Sequence, residues 1–257
     1  MRKLFVIIIL LFLFDSAFSQ GEINDEHKIM YRNEKSYGIS LVSNGFGLGY
    51  RFAKRKKPRI KRIYEGNFNT MKHPKEFKQY SYRSTSLSRF VYGKTYSVFN
   101  LRFGLGRQRE IFKKLDRNSV SIRFFYIFGV TTAFAKPIYY SVYENERYIE
   151  RRFDVTIPVH LIYEESSYFK GISETKIIPG AYIKTGFDFN FSKTDKKISM
   201  LEVGVSLEGY PYPVEIMAIQ PKQFFFPTVF LSFRFGKVIS DYYLKELDEG
   251  TDKNIKK

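Results

Sequence analysis

The decapeptide FPTVFLSFRF, Phe226 to Phe235, puts Val229, Leu231, Phe233 and Phe235 at every second position and Thr228, Phe230, Ser232 and Arg234 between them. Successive side chains on a strand point to opposite faces, so this stretch shows one greasy face and one that holds a full charge. Such a strand wants hydrocarbon on one side and a polar, packed space on the other.

The same pattern recurs along the chain. SVFNLRFGLG (97–106) sets Phe99, Leu101, Phe103 and Leu105 against Asn100, Arg102, Gly104 and Gly106. SVSIRFFYIFGVT (119–131) sets Val120, Ile122, Phe124, Tyr126, Phe128 and Val130 against Ser121, Arg123 and Gly129. RFDVTIPVHLIY (152–163) alternates in the same way, as do YIKTGFDFNFS (182–192) and LEVGVSLEG (201–209). YGISLVSNGFGLGYRF (37–52) also alternates, but its phase slips between Leu41 and Phe46, which reads as one strand with a bulge at Asn44-Gly45. One more strand is required between Lys57 and Asn69, where RIKRIYEGNF fits the pattern poorly. These segments make eight strands, and single-chain bacterial membrane barrels close with an even number.

A soluble β-sandwich also alternates. Here, however, the strands are long, and the inward faces carry Arg102, Arg123, Lys184, Asp188, Glu202, Glu208 and Arg234. A sandwich core could not take up that many charges without large desolvation penalties, whereas in a barrel lumen they pair with one another and with water. The expected fold is therefore all-β: an antiparallel transmembrane β-barrel of eight strands with soluble loops. The inward glycines 104, 106, 129, 186 and 204 would leave room for long lumenal side chains.

The chain's start agrees. Arg2 and Lys3 precede an apolar run from Leu4 to Phe14, and Ala17-Phe18-Ser19 forms a small-residue cleavage signal before Gln20. This reads as a signal peptide over 1–19, since eleven apolar residues fall short of the ~20 that a spanning helix needs. An N-terminal segment (20–36), a barrel (37–236) and a charged, periplasmic C-terminal tail (237–257) complete the expected organisation. The absence of cysteine rules out disulfides and a lipidated cysteine, leaving packing and strand pairing to hold the exported chain together.

The formal net charge is +17. For an exported protein the available polyanions are lipid and lipopolysaccharide phosphates and acidic partners, which argues against nucleic acid. KRKKPRIKR, with Lys54, Arg55, Lys56, Lys57, Arg59, Lys61 and Arg62, is accordingly read as a solvated basic loop near such phosphates and as an interaction segment.

Counting strands back from a periplasmic C-terminus makes SKTDKK (192–197) a periplasmic turn, and EESSYFKGISETKI and PYPVEIMAIQPK outer loops. Thr70 to Lys94 then falls on the periplasmic side. That is long for a turn there: either the segment is a docking element, or the second strand is misplaced. With the terminal VFLSFRFG, similar to the C-terminal signal of outer-membrane barrels, the chain resembles the small eight-stranded barrels of the OmpA/OmpX type. More loosely, it resembles the accessory barrels of Bacteroidota outer-membrane assembly and secretion machines. It departs from them in that residues follow the terminal signal. The resemblance implies residence in the bacterial outer membrane and a place among other outer-membrane proteins.

Chemistry is sparse. Acyl transfer by a lipid-modifying barrel needs a histidine beside a serine nucleophile. Only His27, His73 and His160 exist, and His160, read as inward-facing, is the sole candidate base. No metal-binding spacing or phosphate-binding glycine loop is present, so no cofactor is expected. Eight strands leave a lumen that side chains fill, which argues against a general pore. The reading is a non-enzymatic accessory or structural subunit of a larger outer-membrane complex, with a lipid-modifying enzyme and a small pore as alternatives. The tail stretch YYLKELDE could form a short helix on a partner.

Overall fold

The computed structural model describes residues 32–81, 89–114, 119–144, 146–194, 196–218 and 220–240. The expected signal peptide, most of the N-terminal segment and the tail beyond Ser240, with its expected helix, lie outside them.

Eight strands form the barrel wall: β1 (Arg32–Val42), β2 (Gly45–Lys57), β3 (Ile60–Met71), β6 (Tyr96–Phe112), β7 (Ser121–Pro137), β11 (Lys176–Asn190), β12 (Lys197–Val214) and β13 (Gln223–Ser240). Each pairs antiparallel with its neighbour, and the ring closes where β1 runs against β13 from Arg32↔Ser240 to Val42↔Phe230. Closure leaves no open edge in the wall. Five further strands lie outside the ring: β4 (Lys78–Tyr80), β5 (Arg89–Val91), β8 (Tyr139–Glu144), β9 (Arg147–Arg152) and β10 (Ile162–Glu165).

The strand number matches the expectation, but two assignments do not. Residues 37–52 form a hairpin rather than one bulged strand: Tyr37↔Tyr50, Ile39↔Leu48 and Leu41↔Phe46 are partners across a turn at Ser43 and Asn44. A two-residue turn pairs odd positions with even ones, so the phase slip marks a reversal of the chain. Conversely, residues 152–163 are not part of the wall. They contain the end of β9, a 3-10 turn over Val159–Leu161 and the start of β10. Their alternation buries Phe153 and Ile157 in a separate small core, while Val155 is 55% exposed. Residues 60–68 of the weak candidate at 59–68 lie within a full strand, β3. Barrel pairing also begins before Tyr37 and continues past Gly236, from Arg32 to Ser240.

One strand gained at 37–52 and one lost at 152–163 reverse the polarity of the segments between them. Residues 72–95 lie at the same end as the connections 138–175 and 215–222, so the long loops gather at one end. The opposite end carries the connections 58–59, 113–120 and 191–196 together with both ends of the ring. Thr70–Lys94 is therefore on the long-loop side, and KRKKPRIKR is not a loop. It is the β2–β3 hairpin tip at the short-turn end, turning at Pro58 and Arg59.

The barrel is inverted relative to a soluble domain. Its outer wall exposes Tyr37, Ile39, Leu41, Phe103, Leu105, Phe128, Val130, Val229, Leu231 and Phe233. On β13 this face runs from Phe225 to Phe235. Ten steps of about 3.3 Å each, tilted by about 40°, climb about 25 Å, the height of the apolar band of a membrane barrel.

Candidate functional site

Inside the wall, the charged side chains stand in three groups. At mid-height, Arg51 reaches three carboxylates. Its Nε donates to Glu65 Oε2 at 2.6 Å, Nη1 lies 3.4 Å from Asp188 Oδ2, and Nη1 also contacts Glu202 Oε1. Lys184 Nζ lies 2.8 Å from Glu65 Oε1 and 3.7 Å from Glu202 Oε2. Arg234 closes the cluster, with Nε 3.5 Å from Glu202 and Nη2 3.8 Å from Glu65. Three cations thus balance three carboxylates, all within the barrel. The Phe125 ring stacks under the Arg51 guanidinium at 4.7 Å, so apolar side chains wall the cluster in.

Toward the long-loop end, Arg102 pairs with Glu208, which also accepts bonds from Asn100 Nδ2 at 2.6 Å and Tyr210 OH at 2.5 Å. Above this pair an apolar layer of Met71, Tyr96, Val98, Ala133, Val214 and Phe226 closes the lumen. Toward the short-turn end, Glu34 takes Lys61 and Arg123, the latter at 3.1 Å. Tyr182 fits into the wall because Gly104 and Gly129 face it: a Cβ on either would strike its ring or hydroxyl.

All seven expected lumenal residues are buried in these three groups. Arg51, Glu65 and Glu34 belong to them as well without having been expected there, and so does Lys61, which the sequence reading places in the basic segment. Of the expected basic segment, Lys54, Lys56, Lys57, Arg59 and Arg62 are exposed, Arg55 is half-buried against the Pro58 carbonyl, and Lys61 is buried on Glu34. Lys61 thus departs from the expected solvated loop, because it points inward from β3 to a carboxylate. His160 departs too. It is exposed on the 3-10 turn over Val159–Leu161, outside the lumen, and no hydrogen bond joins it to a serine among the described residues. His73 caps a turn, its Nδ1 accepting from the Lys75 amide at 3.1 Å.

Over the long-loop end sits a cap. The sheet β10-β8-β9 and the hairpin β4-β5 share a core of Phe90, Ile138, Tyr140, Phe153, Ile157 and Ile162. Tyr140 ties the two together, its hydroxyl donating to the Val91 carbonyl at 2.8 Å. Burial pushes that phenol well above its usual range. The cap meets the barrel through Arg152 of β9, which donates to the Tyr96 hydroxyl of β6. Beside it the connections 72–95 and 215–222 are joined by the Thr95 amide donating to the Ile216 carbonyl at 3.0 Å and by a Lys94↔Met217 bridge. Strand β9, at one edge of the sheet, is exposed at all six positions, with Tyr148 at 58%.

No family model matches the chain, and no curated protein does. Among solved structures it is similar to neisserial surface protein A (8% identity over 80% of this chain and 95% of that one, TM-score 0.38). It is also similar to Ail of Yersinia pestis in complex with a heparin analogue (10%, 82% and 100%, 0.36) and to the N-terminal barrel domain of Pseudomonas aeruginosa OprF (6%, 80% and 98%, 0.34). Scores this low carry no weight, and the fold rests on its own strand pairing. A closed antiparallel ring of even strand number, apolar outside and ion-paired inside, has the architecture of bacterial outer-membrane proteins, and the chain is an outer-membrane β-barrel.

With ion pairs across the lumen and an apolar layer above them, the purified protein in planar bilayers is expected to give no discrete conductance. Steps of defined size would mean that the plug opens.

Proposed function

We propose that this outer-membrane β-barrel is a non-enzymatic anchor whose cap binds another protein, as an accessory subunit of a larger outer-membrane assembly. In the orientation usual for such barrels, with short turns in the periplasm, the cap faces outward. The observation that carries the reading is β9: a strand held at the edge of an ordered sheet, exposed on both faces, with one side unpaired in the strand order β10-β8-β9. Open edges template pairing with a further strand, and soluble proteins usually cover or blunt them. A lumen filled with ion pairs, and an exposed His160 with no serine hydrogen-bonded to it among the described residues, favour a binding role over the two alternatives. An accessory place in a Bacteroidota-type assembly or secretion machine fits the same features.

The test is mild-detergent purification of the natively expressed, tagged protein with mass spectrometry of what accompanies it. A near-stoichiometric partner is expected. Tyr148→Pro and Ile149→Pro then locate it: adjacent residues point their amides to opposite edges, so one of the two removes a donor from the open edge alone. That variant should lose the partner while keeping the folded barrel. A protein that purifies alone, or a partner retained by both variants, would overturn the docking role.

A further inference from the structure

The geometry points to a binding site for one anionic glycerophospholipid on the outer wall, its acyl chain in a groove over Gly66 and its phosphate on Lys54, Arg62 and Arg107. The groove, of about 500 Å³, is lined by Tyr50, Phe52, Tyr64, Gly66, Phe103 and Leu105. Register explains it. Tyr50, Gly66 and Phe103 are partners across β2, β3 and β6, so a missing side chain in the centre of the row leaves a dent between aromatic rings. The backbone does not demand glycine there, because a Cβ at position 66 would meet only the Phe103 ring, at an ordinary 3.4 Å. The dent is therefore open space facing lipid.

Toward the short-turn end, the next outward row is Phe52, Tyr64 and Leu105, and the one after it is Lys54, Arg62 and Arg107. The three cations sit on adjacent strands, about 5 Å apart at their backbones, directly opposite one another. All are exposed, and none pairs with a carboxylate among the described residues. Like charges directly across strands destabilise a sheet, so an anion from outside the protein is the natural complement. At the rim of an apolar band, the anions within reach of outward-pointing side chains are lipid phosphates. From Gly66 to Arg62 is four residues, about 13 Å of strand, so one lipid spans groove and cations together. Lys197, Lys237 and Lys35 form a second registered row of cations on the adjoining strands β12, β13 and β1, with Lys35 opposite Phe52. By contrast, Lys193, Lys196 and Lys197 are exposed on the far side of the barrel, at the β11–β12 turn of the same end.

The proposal rests on the barrel spanning a membrane with this rim at a phospholipid leaflet. The experiment is native mass spectrometry of the detergent-solubilised protein with added phosphatidylglycerol, phosphatidylcholine or lipid A. Retention of one phosphatidylglycerol, in preference to the other two, is expected. The triple variant Lys54→Gln, Arg62→Gln, Arg107→Gln should weaken it by about tenfold to a hundredfold. Gly66→Leu fills the groove and should remove the preference for long acyl chains over short ones. The control triple Lys193→Gln, Lys196→Gln, Lys197→Gln removes equal charge at the β11–β12 turn, across the ring from the groove, and should leave retention nearly unchanged. Equal losses in the two triples, equal retention of phosphatidylcholine, or a preference for lipid A would overturn the site. Failure of the wild type to insert into vesicles would instead overturn the membrane reading beneath it.

Discussion

Arg51→Met is expected to destabilise the barrel by about 3–5 kcal/mol, enough to drop the folded, heat-modifiable gel band and to shift its urea midpoint markedly downward. The size comes from the contacts of Arg51: Glu65 at 2.6 Å, Asp188 at 3.4 Å, and Glu202. Without it, Glu65 and Glu202 keep Lys184 and Arg234, and Asp188 is left without an ion pair, holding only the Gln108 amide. An unpaired buried charge costs far more than an intact pair contributes, so a second substitution should rescue the first. Adding Glu65→Gln to Arg51→Met restores two charges against two and should recover a large part of the loss, although Glu65→Gln alone should also destabilise. If Arg51→Met folds as well as the wild type, water enters the lumen freely and the plug is not a closed ion-pair cluster. Measurable conductance in the single variant, absent from the double, would show independently that charge balance keeps the lumen shut.

Arg51 also shows where the sequence was legible and where it was not. Alternation alone gives β6, β7, β11, β12 and β13 and the seven lumenal charges they carry, because hydrocarbon outside and ion pairs inside leave a period-two trace. The count of eight needed the even-number rule, and its two misassigned segments cancel. What alternation cannot tell apart is a bulge from a tight hairpin, since both invert the phase. The slip at Asn44-Gly45 therefore hid β1 and β2 in one stretch. Together with the strand expected at 152–163, it moved residues 72–95 to the wrong end. Asn-Gly is itself a strong hairpin signal, and weighing it above the bulge would have found the turn. β3 was hard for a different reason. Its outward face carries Arg62 and Gly66 and its inward face Ile63, so both faces break the rule that marked its neighbours. The rule fails there because Arg62 belongs to the rim and Gly66 to the groove, while Ile63 packs beneath the ion cluster. Glu65 was lost with that strand. Residues 152–163 err in the opposite sense: a short soluble sheet with its own core leaves the same alternation as a membrane strand. Only their Pro158 and the Asp154 turn argue otherwise, with the Asp154 side chain accepting from the Thr156 amide at 3.2 Å.

Phe90→Ala is expected to release the cap while sparing the barrel. Phe90 is 1% exposed, meets the Tyr140 ring edge-on at 6.1 Å, and is the main apolar contribution of β5 to the cap core. Truncating a buried phenylalanine costs about 3–5 kcal/mol, which is large against the stability a core this small can supply. Apart from the chain's run from β7 into β8, the cap meets the wall by few bonds, among them Arg152 to the Tyr96 hydroxyl, so its opening need not propagate into the ring. Limited trypsin digestion in detergent should then cut the variant rapidly after Arg147, Arg151 and Arg152, while the heat-modifiable band of the barrel persists. Tyr140→Phe, which removes the bond to the Val91 carbonyl but keeps the ring, should be cut more slowly than Phe90→Ala and faster than the wild type. Loss of the barrel band together with the cap would mean that the two form one cooperative unit. The distinction bears on function: a cap that opens by itself can lose a β9-bound partner without loss of the membrane anchor, so the purified Phe90→Ala barrel should emerge folded and alone.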